Sequence, residues 1–336
     1  MRALVVTNMW PSAAAPQRGV FVADQVAALR RRDDVEVEVF AFPPGSRALL
    51  RAIATIRGGT RGARFDVVHA HFGLAAVPAL AARRGPVIVT LHGNDLFVRR
   101  SRAVTRAALP FTALPAAVSR AFSRNLPGAG TARRVAVLPV GIALERFRAI
   151  PRQEARAHLG LDPDGPFLLF PHDPRRPLKR FDRAREAAGD VPLLTLGAVP
   201  PDEVPYWINA ANAVLVPSQD EGFGLAVIEA LACGVPAFGT PVGIHPLALH
   251  GIDGAFCEPW DPVRWRAALA PVLAAADPRV DGRARAELFS ADRMADRVVQ
   301  AWREVASASA GLGRGARRPA YTRRFERIGD RAPDRQ

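Results

Sequence analysis

The feature that most constrains this chain is a rhythm in which short apolar, β-branched runs alternate with stretches of helical spacing, and the whole alternation occurs twice. In the first series, strands are predicted at 3–7, 35–40, 66–70 and 87–91, with a helix over 22–31 and further strands at 113–118 and 135–138. Strands parted by helices cannot pair as hairpins, so the pattern calls for parallel sheets with crossover helices. A second series runs through 167–170, 193–196, 213–216 and 236–238. Residues 139–165 are rich in Pro, Gly and Arg and read as the connection, which places a boundary near 155. The expected class is α/β, with two doubly wound parallel-sheet domains over 1–155 and 156–285. A helix over 286–306 can cross back to the first domain, and 307–336, basic and poor in large apolar residues, is expected to be a disordered tail. Such sheets bind ligands beyond the carboxyl ends of their strands. Asn8, His71, His92, Asp95 and the segments 172–179 and 218–224 all fall there.

The richest of these segments is Ser218-Gln-Asp-Glu-Gly-Phe-Gly-Leu-Ala-Val-Ile-Glu229-Ala-Leu-Ala-Cys-Gly-Val-Pro236. Glu221 precedes a glycine-flanked turn, and the helix after it leaves backbone N–H groups free between Gly222 and Leu225, a site for phosphate or sugar oxygens. Glu229 lies farther along that helix among Val227, Ile228, Ala230 and Leu231, where a carboxylate has few uses except to accept hydrogen bonds; two ribose hydroxyls would satisfy it. The competing reading, a helix cap at Glu221 and a surface carboxylate at Glu229, fits those apolar neighbours poorly. The loop Pro171-His-Asp-Pro-Arg-Arg-Pro-Leu-Lys179 gathers Arg175, Arg176 and Lys179 behind a strand. Of the 46 Lys+Arg residues, Lys179 is the one lysine, which marks a place that wants a compact ammonium rather than a planar guanidinium. The bland reading of the two arginines is a solvated basic loop.

The spacing from Glu221 to Glu229, with Gly-Phe-Gly and Ala-Cys-Gly-Val-Pro, resembles the signature of family 4 retaining glycosyltransferases, and the likeness runs in order through both halves to about residue 305. That resemblance implies the GT-B fold, two Rossmann-like domains facing each other across a cleft. It also implies a nucleotide-diphosphate sugar as donor, no cofactor and no metal, and a glycan, lipid-linked or small-molecule acceptor. By the same resemblance Glu229 holds the donor ribose, while Glu221 and the backbone of Gly222, Phe223, Gly224 and Leu225 lie against the sugar and its phosphates. Lys179 with Arg175 or Arg176 would neutralise the departing diphosphate. The loop is shorter here than the commoner family spacing, since three residues separate Arg175 from Lys179 and two separate Arg176 from it; the Asp-Pro-Arg-Arg-Pro-x-Lys form looks like the teichuronic-acid-type branch. His92 would approach the donor sugar's hydroxyls, Asp95 would lie towards the acceptor and accept its proton, and Gly19 would let backbone come close to the diphosphate. The loop 241–246 is read as a turn without chemistry and Asn212 as a structural polar residue. His69 and His71 are read as structural, with the edge of the cleft as the alternative.

The formal charge is +14, and it is unevenly spread: residues 1–150 hold 22 Arg against 8 Asp+Glu, whereas 151–336 hold 24 Lys+Arg against 24 Asp+Glu. The first half is expected to meet something anionic. For a lipid-linked acceptor, the clusters at 30–32, 83–84 and 99–102 could hold it peripherally against an anionic membrane. Nucleic acid is not expected, because only 7% of the residues are aromatic and none interleave with the basic clusters. No apolar run approaches the roughly 20 residues of a membrane helix, so the expected location is cytoplasmic, at the inner face of the cell membrane. Cys233 and Cys257 lie in apolar segments and read as buried thiols. Two other classes fit parts of the pattern: a non-catalytic scaffold that binds an anionic polymer through the basic half, and a nicotinamide-dependent oxidoreductase. The second lacks a Gly-x-Gly-x-x-Gly after the first strand, where Thr7-Asn-Met-Trp-Pro stands instead.

Overall fold

Each series of strands closes into its own parallel sheet in the computed structural model, which describes residues 1–126, 135–197 and 199–312. The first sheet holds β1 (Arg2–Thr7), β2 (Glu36–Ala41), β3 (Val67–His71), β4 (Val87–Leu91), β5 (Leu114–Ala117) and β6 (Ala136–Val137), in the order β2-β1-β3-β4-β5-β6. The second holds β7 (Leu168–Phe170), β8 (Leu193–Thr195), β9 (Ala213–Val216), β10 (Ala237–Gly239) and β11 (Phe256–Cys257), in the order β11-β10-β9-β7-β8. β11 escapes a sequence reading because two half-buried residues leave no period to detect.

Alternation along β1 explains the layering. Ala3 and Val5 point into a core shared with the helices Val20–Arg30 and Ala291–Leu312, while Leu4 and Val6 point into a second core beneath the helices Ser46–Gly59 and Gly73–Ala82. Both faces of the sheet are thus covered, which is why its central strands β3 and β4 are buried along their whole length.

The boundary expected near 155 falls inside a helix, Arg152–Leu159, that belongs to the second domain. Arg152 donates to the Ala211 carbonyl (3.2 Å) and Arg156 to that of Ala210 (3.0 Å). The chain crosses earlier, at Gly141–Ile142. There the Ile142 N–H donates to Phe289 (2.9 Å) and the Ala291 N–H donates to Ile142 (2.8 Å), so outgoing and returning segments run side by side. The helical spacing that starts near 284 is broken at 288–290. Arg283–Glu287 stays on the second domain, and Ala291–Leu312 returns to the first, burying Met294, Val298, Trp302 and Val305. Ion pairs Arg31–Asp292, Arg32–Asp296 and Arg303–Asp34 fasten it there. This helix passes residue 306, where disorder was expected, because Ala-Ser-Ala-Ser-Ala has enough helix propensity to carry it to Leu312. The rest of the expected tail, 313–336, lies outside the described residues.

One apolar cluster runs unbroken from Leu91 and Phe122 in the first domain to Phe223 and Phe289 in the second. It sets the carboxyl ends of β4 and β5 against that of β9.

Candidate active site

The two domains touch through backbone at the point where these loops meet. Ser119, after β5, donates its hydroxyl to the Gly222 carbonyl (2.7 Å). A Cβ built on Gly222 would stand 2.0 Å from the carbonyl oxygen of His92, after β4. Only glycine allows that approach.

Behind Gly222 lies a buried ionic cluster. Lys179 Nζ donates to Glu221 Oε1 (2.5 Å), and the Ser218 hydroxyl donates to the same oxygen (2.8 Å). Burial alone would raise the Glu221 pKa, but the Lys179 ammonium and the neighbouring His172 and His245 outweigh it and hold the carboxyl at about 2. His172 stands 4.0 Å from Glu221 Oε1. His245 donates from Nδ1 to the Thr240 carbonyl (2.8 Å) and packs its Nε2 against Gly224. The Nε2 atoms of both histidines are buried and have no hydrogen-bond partner among the described residues. The loop 241–246 therefore carries a polar group that the sequence reading passed over, since a histidine beside a Gly-Pro turn gives no sign of being buried under the neighbouring loop.

The two arginines separate clearly. Arg175 is largely exposed and pairs outward with Asp173 (2.8 Å). Arg176 makes no ion pair among the described residues, and its charge adds to the burial that lowers the pKa values of His172 and Lys179. Of the pair, Arg176 is the one whose field reaches the cleft.

Helix Leu225–Ala232 opens at Gly224, held at φ +107°, and the amides of Gly222, Phe223 and Gly224 donate to no acceptor among the described residues. The side chain of Phe223 turns away, packing edge-on to Phe289 at 5.7 Å, so only its backbone is available. Leu225 begins the helix, half buried. Among the described residues Glu229 has no hydrogen-bond partner. Burial lifts its pKa to about 7, with Arg146 pulling the other way and Asp24 adding to the rise. Arg146 grips Asp24 with both terminal nitrogens (3.2 and 2.6 Å). Asp24 sits on the helix that starts after Gly19, whose φ of +68° and 2.2 Å approach of a built Cβ to the Met9 carbonyl exclude a side chain. Arg146 and Asp24, on that helix, thus stand near enough to Glu229 to act on its charge.

Across from them, the first domain places Asp95 differently from expectation. Asp95 is buried, and its two carboxylate oxygens accept from the backbone N–H groups of Gly73 (2.6 Å), His92 (2.6 Å) and Gly93 (3.3 Å). Burial lifts its pKa above the usual range even so. A carboxylate engaged this way shapes the His92–Gly93 turn and the start of helix Gly73–Ala82. It does not face an acceptor, and the expectation that it takes the acceptor's proton is corrected. His92 is half buried between the rings of Phe72 (4.5 Å) and Phe21 (4.9 Å). His69 and His71 are fully buried beneath it, and Asn212 is buried too, accepting from Phe167 N (3.1 Å) and Arg156 (3.2 Å). No group of three or more His, Cys, Asp or Glu residues is arranged to hold a metal ion among the described residues.

Known proteins share the two-domain arrangement. Residues 3–146 match the family described as Glycosyltransferase Family 4, and residues 149–275 match Glycosyl transferases group 1. A D-inositol 3-phosphate glycosyltransferase of Mycolicibacterium vanbaalenii is 30% identical over 319 residues, covering 75% of this chain and 68% of that protein. The enzyme of the same name from Frankia alni is 28% identical over 305 residues, 72% of each. Among solved structures, sucrose-phosphate synthase from Thermosynechococcus elongatus superposes with a TM-score of 0.74 at 19% identity, covering 91% of this chain and 99% of the other. Anabaena HepE, in complex with UDP and glucose, gives 0.67 at 18% identity, covering 90% and 100%. These two show the shared two-domain fold.

Proposed function

Since this chain belongs to glycosyltransferase family 4, we propose that it moves a sugar from a nucleoside diphosphate to a phosphate-bearing or lipid-linked hydroxyl acceptor, retaining the anomeric configuration and using no metal. The observation that carries the reading is the line of groups along the second domain: the Glu229 carboxylate, the free amides of Gly222–Gly224 and the buried Lys179 ammonium. In chemical kind these groups suit ribose, diphosphate and leaving-group oxygen respectively. A ribose would give Glu229 the hydroxyl donors it lacks. The amides at the start of helix Leu225–Ala232 would donate to phosphoryl oxygens as an anion site.

Lys179 does the work that charge development demands. As the sugar–oxygen bond breaks, negative charge grows on the diphosphate, and a preorganised ammonium in a water-poor site stabilises it by about 2.7–4 kcal/mol, the scale of one such donor. Arg176 adds to the field. Glu221 is unsuited to attack, because the oxygen nearest the cluster already accepts from Lys179 and Ser218. It is suited to hold Lys179 in place and to receive a sugar hydroxyl on its other oxygen. With Asp95 engaged by backbone, the acceptor's proton passes most directly to the departing phosphate oxygen.

Acceptor chemistry is supported by charge and by the relatives' names. At its outer face the first domain sets helices Ser46–Gly59, Gly73–Ala82 and Arg99–Ala108 side by side, with no acidic residue in any of them. Arg47, Arg51, Arg99, Arg100, Arg102 and Arg106 stand there beside exposed Leu50, Val98 and Phe111. By contrast, Arg31 and Arg32 are committed to Asp34, Asp292 and Asp296, so the cluster at 30–32 drops out of the membrane reading. The remaining arginines support peripheral contact with an anionic leaflet on the cytoplasmic side, each adding about 1 kcal/mol near such a surface. The short arginine–lysine loop supports a place in the teichuronic-acid-type branch.

The test is turnover. Sugar nucleotides of UDP, GDP and ADP are offered with D-inositol 3-phosphate or a short prenyl-phosphate-linked sugar, and released diphosphate and product anomer are read by NMR. Acceptor-dependent release with retained configuration is expected. Release that ignores the acceptor, or an inverted product, would contradict the reading.

A further inference from the structure

Beneath His92 the first domain stacks two more imidazoles. The rings of His69 and His71 lie 4.5 Å apart, and those of His71 and His92 lie 5.3 Å apart. Burial pulls all three below the ordinary histidine range, His71 to about 3, so each ring is neutral at working pH and carries one proton. Where each proton sits follows from the partners.

Trp302, on the returning helix, has an indole N–H that can only donate, and it donates to His69 Nδ1 (3.1 Å). His69 must then carry its proton on Nε2, which donates to Thr90 Oγ1 (2.8 Å). His71 Nδ1 and His92 Nε2 share one hydrogen bond (3.1 Å). Only one of them is protonated. His71 Nε2 is buried with no hydrogen-bond partner among the described residues. Were that atom the one bearing hydrogen, an N–H donor would be left unmet in the core, and orphaned donors of that kind are rare in folded proteins. The lower-cost arrangement puts the proton of His71 on Nδ1, donating to His92 Nε2. The proton of His92 is then displaced to Nδ1, its one nitrogen without a protein partner.

We propose that His71 is a positioning residue that locks His92 in its Nδ1–H tautomer, so that His92 meets the transferred sugar as a hydrogen-bond donor and takes no proton in the reaction. Two further features hold the ring for that purpose. Phe72 adopts φ +73°, an uncommon conformation for a bulky residue, and its ring lies 4.5 Å from that of His92. Phe21 closes the other approach at 4.9 Å. The contact with the sugar rests on the donor reading above; the tautomer does not.

The experiment reads ring nitrogens of ¹⁵N-histidine-labelled protein, free of ligand, alongside kinetics of His71→Asn and His71→Phe. The expected spectrum has protonated Nδ1 on His71 and His92 and protonated Nε2 on His69. Asn places an amide N–H near the position of Nδ1 and should keep donor-dependent kcat/KM within about threefold, whereas Phe should lose roughly tenfold or more, the scale of one hydrogen bond. A proton on Nε2 of His92 in the wild-type protein would overturn the proposal. Equal losses in both variants with the His92 tautomer unchanged would overturn it too. Because the spectrum needs no substrate, absence of nucleotide binding would sink the donor reading and leave the tautomer assignment standing or falling on its own data.

Discussion

At the scale of single residues, two carboxylates in one site are driven in opposite directions. Glu229 stands at about 7 against an ordinary 4.5, chiefly through burial, while Glu221 stands at about 2 under the pull of Lys179. Ribose hydroxyls donate to the ionised form of Glu229, so nucleotide affinity should rise with pH up to about 7, by at most tenfold per unit. Calorimetry from pH 5.5 to 8 checks this, and Glu229→Gln should flatten the curve. The sign for stability is the reverse: a raised carboxyl pKa contributes stability that is full below 4.5 and is lost as pH rises through about 7. Lys179→Ala should cost kcat about 100-fold or more. Because it strands Glu221 as an unpaired buried charge, it should also destabilise the fold by about 3–5 kcal/mol, read by chemical denaturation. Lys179 was legible in the sequence because it is the sole lysine. Asp95 was misread because its partners are backbone amides, which a sequence does not display, and the choice between Arg175 and Arg176 turned on Asp173, whose side chain claims the nearer arginine.

At the scale of elements, the glycine at the interdomain contact matters more than its neighbours. Gly222→Ala must push the His92 carbonyl from a 2.0 Å approach, and since both sides are backbone the loops have to part. The variant is expected to stay folded while kcat/KM falls at least tenfold, an effect of ångström-scale misplacement. Gly58, in helix Ser46–Gly59 with nothing within 4 Å of a built Cβ, is the control: Gly58→Ala should leave activity intact and add about 1 kcal/mol in denaturant melts. Strand and helix periods made most of the elements readable. β4 and β9 coincide with the predicted spans, because short runs of aliphatic and β-branched residues bounded by polar or Pro residues leave little freedom. The break at 288–290 was not readable, because no Gly or Pro marks it; the chain turns there so that Phe289 can pack on Phe223 and offer its carbonyl to Ile142.

At the scale of the whole molecule, the last helix ties the second domain's chain back to the first and reaches its histidine stack through Trp302. Trp302→Ala should cost about 3–5 kcal/mol in the first domain, with loss of the His69 proton assignment in the nitrogen spectrum. Reversing Arg99, Arg100, Arg102 and Arg106 to Glu should abolish flotation with anionic vesicles and leave soluble nucleotide binding unchanged; no preference of the wild-type protein for anionic over neutral vesicles would remove the membrane reading. The groups from Glu229 through Gly222 to Lys179 form the proposed nucleoside-diphosphate site. Calorimetric titration of UDP, GDP, ADP and NAD into the wild-type protein and Glu229→Ala tests it most directly. Saturable binding of one diphosphate, lost or weakened at least tenfold in the variant, is the predicted result, and binding of none, or equal binding by both proteins, would contradict it.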